Sequence, residues 1–256
     1  MRFASLGSGS QGNAHLIETS RVRVLVDCGF AAREIERRLA LLGIEADTLN
    51  AILVTHEHQD HVRGLGPLAR RYRLPSWMTC GTYQGSRCGE LPELHLLDSH
   101  ADSFSIGNLE IFPYPVPHDS REPCQFVFQA DGTRLGLLTD AGHITPHIIE
   151  SLTGCDSLIL EFNHDSQMLA SGPYPPRLQA RVGGSHGHLN NQQSVELLSR
   201  LDANRLQHLV AAHLSEKNNT PRQVRETLSA VHPQLADRLT LAGQHVTGGW
   251  CSLTHS

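Results

Sequence analysis

The run His56-x-His58-x-Asp60-His61 places four residues of metal-ligand type within six positions. Imidazole and carboxylate donors suit Zn²⁺, Mn²⁺ or Fe. Side chains at i and i+2 of an extended chain point to one side, so His56 and His58 can share a cation. Asp60 and His61 are adjacent and in extended chain point apart, and a second cation beside the first is their natural use. Further donors stand where later apolar runs stop: His118 after Val116-Pro117, Asp140 after Leu137-Leu138-Thr139, and His213 after Val210-Ala211-Ala212. Divalent cations in such a setting polarise phosphoryl oxygens and lower the pKa of water, which is the chemistry of hydrolysis. The chain holds 17 histidines, so it is the spacing and not the count that selects these.

Donors at the ends of several runs must be gathered by a sheet. Short strands are predicted at Arg2–Ser5, Ala14–Glu18 and Arg23–Val26, with the glycine-rich Gly7–Asn13 as a wide turn. A helix is predicted from Ala31 to Leu42, stopped by Gly43. Ala51–Val54 reads as a buried strand that runs out at His56, followed by a helical stretch from Gly64 to Arg71. More strands are expected at Glu110–Phe112, Phe126–Gln129, Arg134–Leu138, Ser157–Glu161 and His208–Ala211. Helices are expected at Pro146–Leu152, Asn191–Leu201 and Pro221–Val231. Ser171–Gly187, rich in Pro and Gly, reads as an irregular surface segment. The alternation gives an α/β class, whose open sheets hold sites outside the carboxyl ends of strands. No internal repeat or linker divides the chain, so residues 1–256 are expected to form one domain.

The composition excludes other classes. Hydrophobic residues make up 39% and charged residues 18%, which is a globular balance and not a disordered one. No apolar stretch approaches the ~18 residues of a membrane helix, and the first twenty residues lack a secretory apolar core. Six scattered cysteines without a C-x-x-C pair read as reduced thiols, so a cytoplasmic location is expected and a thiolate zinc site is not. Net charge is −5, so bulk positive field cannot hold nucleic acid, although a local basic groove could. The basic residues are 20 Arg and the single Lys217.

In this setting His56–His61 resembles the signature of the metallo-β-lactamase-fold hydrolases. Leu6–Asn13, Val26-Asp27-Cys28-Gly29, Glu161-x-Asn163-His164-Asp165, Gly187-His188-Leu189-x-Asn191 and His213-Leu214-Ser215-x-x-Asn218-Asn219 are similar to the YycJ/WalJ branch of that superfamily. The likeness runs to about Pro221. It implies a four-layer αββα sandwich, two divalent metal ions per chain, and 5′→3′ exonuclease action on DNA with a metal-bridging hydroxide as nucleophile. It also implies a role in DNA repair. By the same resemblance His56, His58 and His118 hold metal one, Asp60, His61 and His213 hold metal two, and Asp140 bridges them. Asp60 and His188 are the candidates for direct catalysis, His188 as proton donor to the leaving 3′-oxygen. Asp27 is a candidate to orient a ligand histidine, and Asn163, His164 and Asp165 are assigned to the site rim. Gln59 stands where the branch often has Ser or Thr. His61 and Asp140 stand where the secreted β-lactamases have Arg and Cys, which argues against antibiotic hydrolysis.

Other features read as ordinary. His15, His95, His100, His208, His232 and His255 lack ligand-type neighbours, while His143 and His147 could line the cleft. Arg33, Arg37 and Arg38 form a basic stripe on a helix, whose usual explanation is a solvated face. Leu6–Asn13 could offer N–H groups to a phosphate, but it fits no nucleotide-binding pattern, so no nucleotide cofactor is expected. Two further functions compete: a dinuclear-metal hydrolase of a small ester, thioester, lactone or cyclic phosphodiester, and a metal-bound regulatory protein without turnover. A degenerate regulator would have lost donors, and none is missing here.

Overall fold

The apolar runs that end in donors are inner strands covered on both faces, which is why they read as continuous and not alternating. The computed structural model describes residues 1–255. A first sheet runs β14 (Cys251–Ser252), β1 (Arg2–Gly7), β2 (Ala14–Glu18), β3 (Arg23–Val26), β4 (Ala51–Leu53), β5 (Pro75–Thr79) and β6 (Glu93–Leu97). A second runs β7 (Phe104–Ile106), β8 (Leu109–Pro115), β9 (Cys124–Ala130), β10 (Thr133–Leu138), β11 (Ser157–Glu161), β12 (His208–Ala212) and β13 (Leu239–Leu241). In those orders each sheet begins with three antiparallel pairings and finishes with three parallel ones. The two halves share one plan although the sequence carries no repeat.

Register levels the strand ends that carry the site. Val26 pairs with Leu53, so Asp27 and the Thr55-His56 turn emerge side by side. Leu138 pairs with Leu160, and Glu161 with Ala212, which aligns the exits of β10, β11 and β12. These exits are carboxyl ends of parallel strands, the side on which open α/β sheets place ligands.

Three apolar layers hold the stack together. Phe3, Ile17, Val24, Leu53, Ile111, Phe126, Leu137 and Ile159 fill the space between the sheets. Helices α1 (Ala32–Leu41), α2 (Gln59–Val62), α3 (Leu65–Tyr72) and α4 (Cys80–Ser86) belong to the first half, where Ile35, Leu39, Leu65 and Leu68 pack on Leu16, Leu25 and Ile52. Helices α5 (Pro146–Leu152), α6 (Ser166–Ser171), α7 (Pro176–Val182), α8 (Asn191–Arg200) and α9 (Pro221–Val231) belong to the second, where Ile148, Leu152, Val195, Leu198, Val224 and Leu228 pack on Leu138, Leu158, Leu160 and Leu209. The result is the expected αββα sandwich. Among the described residues no helix is long and apolar enough to cross a membrane.

Three expectations change. Ser171–Gly187 is not irregular throughout, because α7 occupies Pro176–Val182 with a proline in its first turn, where the missing N–H costs nothing. Arg38 does not belong to a solvated stripe. It is buried, stacks 3.8 Å over the Phe30 ring and donates to the carbonyls of Leu6 and Gln244. The Leu6–Asn13 turn is not a phosphate cradle either. The N–H groups of Ser8, Gly9, Gln11, Gly12 and Asn13 are taken by Gly243 O, Asn13 Oδ1, Gln244 Oε1, Gly9 O and Asp60 O.

Candidate metal centre

β4 ends at Leu53, and His56 and His58 follow in the turn before α2 starts at Gln59. Their rings lie 4.7 Å apart, edge to face. The sequence expectation that Asp60 and His61 point apart assumed extended chain. α2 begins one residue earlier, and the two side chains converge, with Asp60 Oδ2 3.5 Å from His61 Nε2. The second sheet supplies the opposite wall. Asp140 and His213 follow β10 and β12, and both adopt left-handed backbone (φ 54° each), as does Asp27 after β3 (φ 60°). Asp tolerates this conformation through its short polar side chain, whereas at His213 it is strained, and at all three positions it turns the backbone sharply at the strand end.

The donors come together in overlapping groups whose ligand atoms lie within 4.8 Å of one another: His56, His58 and His118; His56, His61 and Asp140; Asp60, His61 and His213; and Asp140, Glu161, His188 and His213. His56 Nε2 and Asp140 Oδ2 are buried without a hydrogen-bond partner among the described residues. A buried polar atom left so costs roughly 1–3 kcal/mol. His118 Nε2 and His58 Nδ1 face each other at 3.3 Å. Orphaned donors aimed at one another are what a bound cation would satisfy, and the set fits divalent metal.

The remaining ring nitrogens are held from outside. Asp27 Oδ2 lies 2.8 Å from His61 Nδ1, while its Oδ1 accepts from Thr55 N at 2.9 Å. Thr55 Oγ1 lies 3.0 Å from His56 Nδ1. Gly187 O accepts from His118 Nδ1 at 3.0 Å. Asn13 Nδ2 lies 3.1 Å from His61 Nε2 and 3.3 Å from Asp60 Oδ2. Asn163 Nδ2 donates to His213 O at 2.9 Å, and Ser8 Oγ accepts from His213 N at 2.8 Å.

Electrostatics divides the imidazoles. Burial pushes His118 down to about 4. Burial, reinforced by its imidazole neighbours, also holds His56 well below its ordinary value. Burial opposes charge on His213 and His61 as well, but carboxylates win: Asp140, Asp60 and Glu161 raise His213 to about 10, and Asp140, Asp27 and Asp60 raise His61 well above its ordinary value. Burial is likewise overcome at Glu161, where His188 and His213 keep the carboxyl well below the usual carboxylate range.

Glu161 is the residue that sequence reasoning missed. It is fully buried, with Oε1 2.8 Å from His188 Nδ1 and 3.2 Å from His213 Nδ1 and with Oε2 accepting from the N–H groups of Ala141 and Leu189. It ends an apolar run with a carboxylate, the same signal that singled out Asp140. His188 belongs to the donor group of Asp140, Glu161 and His213, its ring 5.1 Å from His213 and 5.2 Å from His118. His164 is buried and pushed to about 4 by burial, with Nδ1 3.3 Å from Asn163 Oδ1. Asp165 belongs to none of the donor groups. It caps α6, accepting from Gln167 N and Met168 N. His15 is buried with both ring nitrogens unpartnered among the described residues, and burial lowers it to about 3.

A four-layer sandwich that gathers imidazoles and carboxylates from both sheets across one edge defines a metal-dependent hydrolase. Residues 22–214 match the model of the beta-lactamase superfamily domain. The chain is 33% identical to the exodeoxyribonuclease WalJ of Streptococcus pneumoniae over 224 residues, 85% of this chain and 83% of that one. It is 31% identical to the exodeoxyribonuclease YycJ of Bacillus anthracis over 234 residues, 90% of this chain and 89% of that one. The metallo-beta-lactamase fold protein YhfI of Bacillus subtilis superposes with a TM-score of 0.74 at 16% identity, covering 98% of this chain and 99% of that one. The chain therefore belongs to the metallo-β-lactamase superfamily and, within it, to the family of WalJ and YycJ.

Proposed function

We propose that this protein is a two-metal phosphodiesterase that shortens DNA from the 5′ end. The carrying observation is the donor set, complete and drawn from both sheets, in a chain whose relatives at 31–33% identity are named exodeoxyribonucleases. His56, His58 and His118 would hold one cation, and Asp60, His61 and His213 the other, with Asp140 between them. Bound divalent cations would supply Lewis acidity toward the phosphoryl group and make hydroxide available at neutral pH.

The protein's own groups do the rest. Asp27, Thr55 and Gly187 O fix the outer nitrogens of His61, His56 and His118, so the inner nitrogens present lone pairs. Asp60, reached by Asn13 Nδ2, stands at the mouth to take a proton from the attacking water. His188 donates Nδ1–H to Glu161, which leaves Nε2 to carry the proton that the departing 3′-oxygen needs. A carboxylate–imidazole pair of this kind fixes both tautomer and ring orientation.

The test incubates the protein with 5′- and 3′-labelled duplex DNA, single-stranded DNA and RNA, with Mn²⁺, Zn²⁺, Mg²⁺ or EDTA. Stepwise, metal-dependent shortening of DNA from the 5′ end is expected, with Asp140→Asn reducing it by at least a hundredfold. Metal bound stoichiometrically without cleavage of any polymer overturns the reading and points to small esters or cyclic phosphodiesters.

A further inference from the structure

Beside the donors lies a second polar feature that the reading above does not use. Arg181, in the last turn of α7, places Nε 2.5 Å from Asp119 Oδ2. The other oxygen of that carboxylate lies 3.5 Å from His118 Nε2 and 3.8 Å from His58 Nε2. One carboxylate thus separates the guanidinium from the donor cluster. Nη1 and Nη2 make no hydrogen bond among the described residues, and the Arg181 side chain is 58% exposed. A cavity of about 260 Å³ opens at this point, lined by Asp119, Ala180, Arg181, Gly184, Ser185 and His186.

The cavity wall is held in place. His143 Nδ1 donates to Ser185 O at 2.8 Å, and Gly187 N donates to Gly184 O at 2.9 Å. A Cβ on Gly142 would overlap Ser185 and His186, so the glycine lets the loop after Asp140 press against this wall. The wall segment itself, Gly184 to Gly187, carries Gly187 O to His118 and leads into His188. Ser185 Oγ lies 3.2 Å from His186 Nδ1, and His186 Nε2 makes no hydrogen bond among the described residues.

A planar fork with two unused donors, a hydroxyl and an imidazole around an open hollow match a phosphate. Asp119 neutralises Arg181 without consuming its fork. We propose that Arg181, with Ser185 and His186, forms a subsite for the backbone phosphate next to the scissile one. The substrate class is then a polyanionic strand and not a small ester. This rests on the phosphodiesterase reading.

The test is a cycle between protein and substrate. A dye-labelled oligonucleotide carries a cleavage-resistant phosphorodithioate at the terminal linkage. A neutral methylphosphonate replaces the next phosphate or, in controls, one further along. Affinity for the metal-loaded protein is read by fluorescence anisotropy across a salt series. Neutralising the adjacent phosphate should weaken binding to the unmodified protein at least tenfold. Arg181→Gln should weaken binding of the intact strand to a similar degree, lower the slope of log K against log salt by about 0.7, and leave little further response to the methylphosphonate. A methylphosphonate penalty equal in Arg181→Gln and the unmodified protein overturns the subsite and leaves the phosphodiesterase reading standing. An unmodified protein that neither binds nor cleaves an all-phosphate strand removes both. Should Arg181→Gln fail to fold, His186→Gln enters the same cycle. There a reduced methylphosphonate penalty supports the subsite, and an unchanged one overturns it.

Discussion

At the scale of the residue, the site is a contest between burial and charge. Asp27 shows how tightly it is balanced. Its backbone is left-handed, one oxygen accepts from Thr55 N, and the other faces His61 Nδ1 at 2.8 Å. Asparagine tolerates the same backbone, because its short polar side chain is at home in the left-handed region. Asp27→Asn therefore keeps the turn and one acceptor, but presents either a neutral amide oxygen or an N–H to His61. Partners of this kind behind metal-bound imidazoles typically change affinity 10–100-fold. Asp27→Asn should bind Zn²⁺ weaker by that factor in competition with a chromophoric chelator, with an unchanged far-ultraviolet circular dichroism spectrum. Equal affinity would show that Asp27 only shapes the turn.

At the scale of the element, α1 acts as a clamp on the glycine-rich turn. Arg38 reaches inward from it to Leu6 O and Gln244 O, and Glu34 on the same helix accepts from Arg38 Nε at 2.7 Å. Replacing Arg38 by Met keeps much of the apolar stem, but removes the guanidinium that stacks on Phe30 and leaves buried carbonyls unpaired. A loss of about 2–4 kcal/mol is expected in urea unfolding. Glu34 adds a pH signature. Hydrogen bonds from Arg37 and then Arg38 lower its pKa from 4.5 to about 2. A depressed carboxyl stabilises above the unfolded value and loses that contribution as pH falls toward the folded one. Glu34 is solvent-accessible, so the effect is under about 1 kcal/mol. Glu34→Gln should be less stable than the parent at pH 6, with the gap closing by pH 2–3. A gap that does not change with pH would remove the ion pair from the account.

The same helix shows what the sequence could and could not tell. Its span was legible because Ile35 and Leu39 recur at helical spacing and Gly43 stops it. The burial of Arg38 was not, since a basic stripe looks alike whether it meets water or a carbonyl pair. The strands ending at Asp140, Glu161 and His213 were legible as apolar runs. β5 was missed because it opens on a proline, α4 because CGTYQGS has no apolar period, and β14 because two residues carry no pattern. The convergence of Asp60 with His61 was hidden by one helical turn too short to announce itself. Arg181 was hidden for the same reason, inside a helix that its Pro and Gly neighbours made look irregular.

At the scale of the molecule, the site is a seam. Cys124 N, on β9, donates to Thr55 O across the two sheets at 3.0 Å, and the donors on either side of that bond come from different halves. Each apolar layer also holds one buried cysteine: Cys28 between the first sheet and its helices, Cys124 between the sheets, and Cys155 between the second sheet and its helices. Burial raises all three thiols, Cys155 to about 12, so none reacts while its layer stays closed. Cys80 is exposed and serves as the internal control. If cations tie the halves together, occupancy must stabilise every layer by the same amount. At a hundred times the dissociation constant that is about 2.7 kcal/mol, or about a hundredfold in the opening equilibrium. Chelator-treated protein, pulsed with a thiol reagent in mild urea and read by mass spectrometry, should label Cys28, Cys124 and Cys155 at one common rate. Restoring Zn²⁺ or Mn²⁺ should slow all three about a hundredfold and leave Cys80 unchanged. Protection of Cys28 alone would mean that the cation is held by the first half, and that the two sheets open as separate units.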